Sequence, residues 1–136
     1  MKKGFLILYL LLAISFLAGC AQEEETAVTV IEDSAMYMDF YVEDGTVHIP
    51  CVISLQNTSD SEKTVKLNAR SQEDADNGLL VDPQLTAVNL EDGGELFVIP
   101  AGKTVEFSVD FTGTFGGTLR KVDRLVPDEI IVEIVE

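Results

Sequence analysis

The stretch VHIPCVISLQ, from Val47 to Gln56, decides the fold that this sequence predicts. Its odd-numbered positions are all apolar, whereas the even-numbered ones include a histidine, a serine and a glutamine. The apolar set is Val47, Ile49, Cys51, Ile53 and Leu55. A period of two is typical of a β-strand that buries one face. Pro50 cannot donate a hydrogen bond to a neighbouring strand, which predicts that this strand lies at a sheet edge or is bulged there.

The same period of two continues on both sides of this stretch, and no window after residue 26 shows a helical stripe. Asp44-Gly45, just before it, predicts a two-residue hairpin turn. A second hairpin is predicted for residues 95–99 and 103–111, and a last strand for residues 129–135. About seven or eight short strands separated by turn residues predict an all-β domain, a single antiparallel β-sandwich with a Greek-key path.

Two stretches, residues 54–60 and 99–105, together with the strand number, resemble the immunoglobulin-like domains that are common in exported bacterial proteins. The resemblance implies an immunoglobulin-like β-sandwich. The Cys-Trp-Cys signature of antibody domains is absent.

The amino end has a different character. Lys2 and Lys3 precede an apolar run, residues 4–16, as in a signal peptide. The run ends in Leu17-Ala18-Gly19-Cys20, which resembles the lipobox of bacterial lipoproteins. That resemblance implies cleavage before Cys20 and a diacylglycerol on the Cys20 thiol. An uncleaved transmembrane helix is the alternative, but the apolar run stops where the small residues and the cysteine fall.

We therefore expect a signal peptide over residues 1–19, an acylated Cys20 with an acidic tether to residue 26, and a β-sandwich domain over residues 27–136. The lipoprotein resemblance implies attachment to the extracytoplasmic face of a cell membrane, of the Gram-positive type. The membrane, reached through the lipid on Cys20, is thus the first expected partner.

The mature chain is strongly acidic. All 24 acidic residues follow Gly19, whereas two of the nine bases precede it, which leaves seven bases and a formal charge of −17. Such a chain repels phosphate backbones, so nucleic acid is not an expected partner. A cationic peptide, a basic protein surface or a divalent cation fits this charge better. Solubility of an exported protein is the simpler explanation of the same charge.

The acidic loop at residues 72–82 supplies the candidate metal site, because calcium takes carboxylate and carbonyl oxygens from flexible loops. Its candidate ligands are Asp74, Asp76 and Asp82. Gly78 comes one position too early for an EF-hand. A solvated acidic turn is the alternative.

Three of the seven bases of the mature chain fall within five residues: Arg120, Lys121 and Arg124. With Phe115 they form a candidate site for an anion or a carboxylate, although such bases often pair with nearby acids instead. The glycines at residues 113–117 lack the Lys-Ser/Thr ending of a phosphate loop, so no nucleotide site is expected.

No residues form a recognisable catalytic set. His48 has no second histidine or cysteine at ligand spacing, and Cys51 alternates with isoleucines as a buried hydrophobe would. The leading hypothesis is a membrane-anchored, non-enzymatic binding or scaffolding module with an extracytoplasmic protein or peptide partner. A calcium-binding surface domain is the second hypothesis, and a hydrolytic enzyme is the least favoured.

Overall fold

The computed structural model describes residues 27–119 and 125–135. Residues 1–26, with the predicted signal peptide, lipobox and tether, lie outside the described residues. The strands are β1 (Val28–Tyr37), β2 (Tyr41–Glu43), β3 (Thr46–Asn57), β4 (Lys63–Arg70), β5 (Gln84–Asn89), β6 (Phe97–Ile99), β7 (Thr104–Thr114) and β8 (Glu129–Ile134), with one short helix, α1 (Gln72–Asp76). In this part of the chain, none of the helical structure has the length and hydrophobicity that a bilayer crossing requires.

All eight strands join one antiparallel sheet in the order β1-β3-β7-β5-β4-β6, with β2 also beside β3 and β8 also beside β4. The sheet curls into a half-barrel, so that β1 at one end comes close to β8 at the other. Its inner faces pack together around a single core, as two layers of a sandwich do. The predicted fold class, all-β and antiparallel with a sandwich-like core, is confirmed.

β3 is the strand around which the sheet is built. It pairs with β1 and β2 on one side and, from Thr46 to Gln56, with β7 on the other. Its five odd-numbered apolar side chains are at most 1% exposed. Each of the four aliphatic side chains in this set stabilises the fold by about 1.5–3 kcal/mol relative to an exposed position. The inward face predicted from the alternation is confirmed.

The prediction that Pro50 places β3 at a sheet edge is wrong, since β3 is an interior strand. The alternative, an irregularity at Pro50, fits better, because the pairing of the neighbouring chain with β3 slips by one residue between Tyr37↔Cys51 and Tyr41↔His48. The backbone N–H of Met38 donates to the Pro50 carbonyl oxygen at 2.9 Å. Because the nitrogen and the carbonyl of a strand residue face the same neighbour, the Pro50 nitrogen also faces that side. There the chain runs irregularly between the end of β1 and the start of β2. The missing donor therefore falls where the ladder is already interrupted.

The two predicted hairpins have different outcomes. Asp44 and Gly45 both adopt positive φ and join β2 to β3 as a hairpin, as predicted. The second hairpin is wrong, because β6 pairs with β4 whereas β7 pairs with β3 and β5. Its turn does form, with the Lys103 N–H donating to the Pro100 carbonyl oxygen at 3.2 Å. The turn leads the chain from β6, beside β4, to β7, which lies between β3 and β5.

Candidate functional site

The acidic loop proposed for calcium contains the helix α1, where the sequence predicted only a polar loop. Asp74 is buried within it and accepts a hydrogen bond from the Ser71 hydroxyl. Asp76 accepts one from the Gln72 side-chain amide, and Asp82 one from the backbone N–H of Gln84, both at 2.9 Å. Each of the three carboxylates therefore has a partner within the protein.

Among residues 27–119 and 125–135, no three histidine, cysteine or acidic side chains come together as metal ligands would. The structure thus brings no argument for the calcium site at Asp74, Asp76 and Asp82, which stays a prediction.

The basic cluster Arg120, Lys121 and Arg124 lies outside the described residues, so the anion site stays a prediction too. Phe115, its aromatic member, has a structural role. Its side chain is partly buried against the core, and its backbone N–H donates to the Gly45 carbonyl oxygen at 2.9 Å. The neighbouring Gly116 packs so closely that an added Cβ would lie 2.4 Å from the Gly78 carbonyl oxygen. Close backbone packing therefore accounts for a glycine here.

A polar cluster on the outer face of the sheet joins three strands. The His48 Nδ1 lies 2.7 Å from the Asp110 Oδ2, and the His48 ring stacks on Tyr41 with 4.6 Å between ring centroids. Asp110 is 7% exposed, and its second oxygen, Oδ1, has no hydrogen-bond partner among the described residues. The alternation places His48 on this face correctly, but the pairing with Asp110 depends on the register of β3 with β7.

Cys51 lies on the opposite face of β3, inside the core. Burial, with a smaller contribution from the negative charge of Asp110, raises the pKa of the Cys51 thiol to about 12. A thiol that stays protonated is a poor nucleophile. Cys51 is therefore a small core side chain, as the alternation predicted.

The sequence did not predict an open groove between β1 and β8, which we call the β1–β8 groove. It has a volume of about 340 Å³. Its walls are Glu32, Ala35 and Tyr37 from β1 and residues 126–130, which lead into β8 and form its first two positions. A second cavity of about 550 Å³ adjoins it and adds Met36 and Met38. Ligand sites in proteins typically have volumes of this order.

The β1 wall of the groove owes its shape to a bulge. The pairing of β1 with β3 shifts between Ile31 and Met36, where four residues of β1 face a single residue of β3. The Ser34 hydroxyl bridges the irregularity, because it accepts from the backbone N–H of Ser54 at 3.1 Å and donates to the Ile31 carbonyl oxygen. Bulges of this kind redirect side chains. The shift leaves Met36 and Met38 exposed on the outside.

Tyr37 lies at the inner side of the groove, opposite Cys51 of β3 in the ladder. Burial raises the pKa of the Tyr37 hydroxyl to about 12, with smaller contributions from Cys51 and Glu32. The hydroxyl therefore stays protonated and can donate a hydrogen bond at any physiological pH.

The opposite wall is a strand edge. β8 pairs with β4 from Glu129 to Ile134, and no other described strand pairs with it. The Val135 N–H donates to the Thr64 carbonyl oxygen at 2.8 Å, which sets the alternation of the ladder. The backbone groups of Ile130, Val132 and Ile134 consequently face away from β4, toward the open side.

The groove combines apolar surface with negative charge. At its rim, Met36 of the adjoining cavity is 67% exposed, and Val126, which lines both spaces, is 63% exposed. Glu32, Asp128 and Glu129 supply the charge, and none of the described residues lining the groove is basic. Sequence reasoning missed the groove because its walls are about ninety residues apart along the chain.

Comparison of the chain with protein-family models, with curated proteins and with solved structures finds no match.

Proposed function

We propose that this protein is a membrane-anchored extracytoplasmic lipoprotein, which acts as a non-enzymatic binding module through the β1–β8 groove. The observation that carries the proposal is the exposed apolar rim of that groove, with Met36 and Val126 beside an open strand edge. Exposed apolar patches next to polar residues mark interaction surfaces in soluble domains. The partner is a protein or a peptide outside the cytoplasm.

The anchor and the groove support each other in this proposal. A diacylglycerol on Cys20 would hold the domain at the membrane, since two acyl chains bury enough methylene groups for stable attachment. The three consecutive acids at Glu23–Glu25 would be repelled by anionic lipid headgroups, which suits a tether between the anchor and the domain. A domain held near the surface meets membrane-bound partners at a raised effective concentration.

The test uses the full chain in cells, with a photo-crosslinking amino acid in place of Val126. Val81, which is 68% exposed but does not line the groove, is the matched control position. We expect a discrete crosslinked adduct from position 126 that is absent from position 81. Identical products at both positions, or none at position 126, would refute the binding function of the groove.

The anchor has its own test, which is metabolic labelling with palmitate. The wild-type chain should incorporate label, and Cys20→Ala should abolish it and accumulate an uncleaved precursor. Label that persists in Cys20→Ala would place the acylation elsewhere.

A further inference from the structure

We propose that the ligand of the β1–β8 groove is an extended basic peptide segment that adds to β8 as a further strand. The inference rests on the proposed function, since it assigns the ligand class of the same groove. Three independent features of the groove carry it: the orientation of the β8 backbone, the position of its charges and the exposure of its apolar residues.

The backbone supplies the first argument. Ile130, Val132 and Ile134 direct their N–H and carbonyl groups toward the open side of β8, where no described strand pairs with them. A row of such groups is a template for another strand. An extended peptide gains affinity from this row by forming main-chain hydrogen bonds, and specificity from alternate side chains.

The charges of β8 select a basic segment. On the paired side, Glu129 lies opposite Arg70 of β4, and Glu133 lies opposite Lys66. Opposite charges in such cross-strand positions stabilise a sheet, and like charges destabilise it. A basic strand on the open side would repeat the arrangement that β4 already provides, and Glu32 adds a further negative charge across the groove.

The same charges disfavour a second copy of this chain as the occupant. An antiparallel or parallel pairing of two β8 edges would bring Glu129 and Glu133 of both copies close together. Each mature copy also carries a formal charge of −17, which adds a long-range repulsion.

The apolar residues of the groove determine which pattern of side chains a bound peptide needs. An added strand presents alternate side chains to opposite sides, and the groove with its adjoining cavity offers exposed apolar surface at Met36 and Val126 together with three acids. The groove therefore fits a segment in which apolar and basic residues alternate.

The test uses the full chain in detergent micelles and a short synthetic peptide that alternates lysine with valine. Two control peptides are matched to it: one alternates glutamate with valine, and one carries N-methyl groups that block its hydrogen bonds on one edge. We expect the lysine peptide to bind, with an affinity that falls as salt is added. The glutamate and N-methyl peptides should bind much more weakly.

Amide exchange measured by NMR locates the peptide. The amides of Ile130, Val132 and Ile134 should become protected when the lysine peptide binds. Those of Ile131 and Glu133 already face β4 and should change little. Glu32→Gln/Glu129→Gln should weaken binding about fivefold, as the loss of two rim charges predicts. The control pair Glu95→Gln/Glu106→Gln removes two exposed acids outside the groove and should leave the affinity unchanged.

The outcomes separate this inference from the function on which it rests. Binding without protection of the three β8 amides would overturn strand addition. Equal binding of the glutamate peptide would overturn the basic specificity, and dimers that form through β8 would replace the peptide with a second copy. In each case the crosslink from position 126 still decides whether the groove is a binding surface at all.

Discussion

His48 of β3 and Asp110 of β7 form a pair on the outer face of the sheet, with 2.7 Å between Nδ1 and Oδ2. The pair lies in the strand interface with the longest ladder of the fold, which runs from Thr46 to Gln56 of β3. Asp110 Oδ1 is buried without a partner among the described residues, so the carboxylate relies on His48. A carboxylate left alone in such a place is costly.

We predict that His48→Phe lowers the free energy of unfolding by about 1–3 kcal/mol. The phenyl ring keeps the stacking on Tyr41 but leaves Asp110 without its histidine. The double variant His48→Phe/Asp110→Val should be more stable than His48→Phe, because it removes the unpaired acid as well. Urea unfolding of the wild type, His48→Phe, Asp110→Val and the double variant measures these free energies. If the losses of the two single variants simply add in the double variant, the pairing is contradicted.

Part of this architecture can be predicted from the sequence. The alternation of β3 identifies its buried face, and Asp44-Gly45 identifies the first hairpin, since both are local patterns with a direct physical cause. The edge position of β3 and the second hairpin were misjudged because strand order is a property of the whole sheet. A proline is tolerated inside a sheet when its nitrogen faces an interruption, and a turn such as Pro100–Lys103 also connects two strands that are not neighbours in the sheet.

The candidate sites also include one feature that the local sequence predicts and others that depend on the whole sheet. The burial of Cys51 follows from its place between Ile49 and Ile53. The His48–Asp110 pair depends on the register of β3 with β7, and the groove depends on the curl that brings β1 near β8. Neither has a local sequence signal.

Cys51 predicts a loss of stability at alkaline pH. Its pKa is raised to about 12 in the folded state, whereas the thiol of the unfolded chain has the ordinary value of about 9. Between these values the folded state holds a proton that the unfolded state has lost, so stability falls as pH rises. The stabilisation that Cys51 contributes through this pKa difference is fully present below pH 9 and is lost as the pH rises above it.

Urea midpoints between pH 8 and pH 11 test this dependence. Cys51→Ala should be less stable than the wild type at pH 8, because it leaves a small cavity, but its midpoint should fall less steeply above pH 9. Tyr37→Phe provides a second comparison, since the raised pKa of Tyr37 adds to the slope only above its ordinary value of 10. Parallel curves for all three proteins would contradict the assignment.

Adding one methyl group at Gly116 should strongly lower the stability of the fold. A Cβ at this position would lie 2.4 Å from the Gly78 carbonyl oxygen, and backbone atoms have little freedom to move away. Gly116→Ala should therefore lower the free energy of unfolding by about 1–3 kcal/mol. The control is Gly94→Ala, where the nearest atom, at 3.2 Å, belongs to the exposed side chain of Asp92. Thermal unfolding should show a marked shift for the first variant and a small one for the second.

Asp74, one of the proposed calcium ligands, should stabilise the fold even when no metal is bound. Because the carboxylate is buried and accepts from the Ser71 hydroxyl, Asp74→Ala should cost about 1–3 kcal/mol without any metal present. Asp76→Ala, at an exposed position, should cost much less. Thermal unfolding with and without millimolar calcium is the measurement. A calcium-dependent rise in the wild-type midpoint that Asp76→Ala or Asp82→Ala abolishes would instead support the cation site.

Substitutions at the rim of the β1–β8 groove should weaken binding of the partner without changing the stability of the fold. Met36 and Val126 contribute little to the core, because about two thirds of each side chain is exposed to solvent. Met36→Ser/Val126→Ser should therefore change the free energy of unfolding by less than about 0.5 kcal/mol for each site.

The same variant should lose the apolar contacts of a bound strand. It should therefore also lose the crosslinked adduct when the photo-reactive residue is placed at the adjoining position 38 instead of position 126. Val81→Ser/Leu90→Ser removes two exposed apolar side chains that do not line the groove and should retain the adduct. Equal adduct yields from the two double variants would show that the partner does not use the apolar rim.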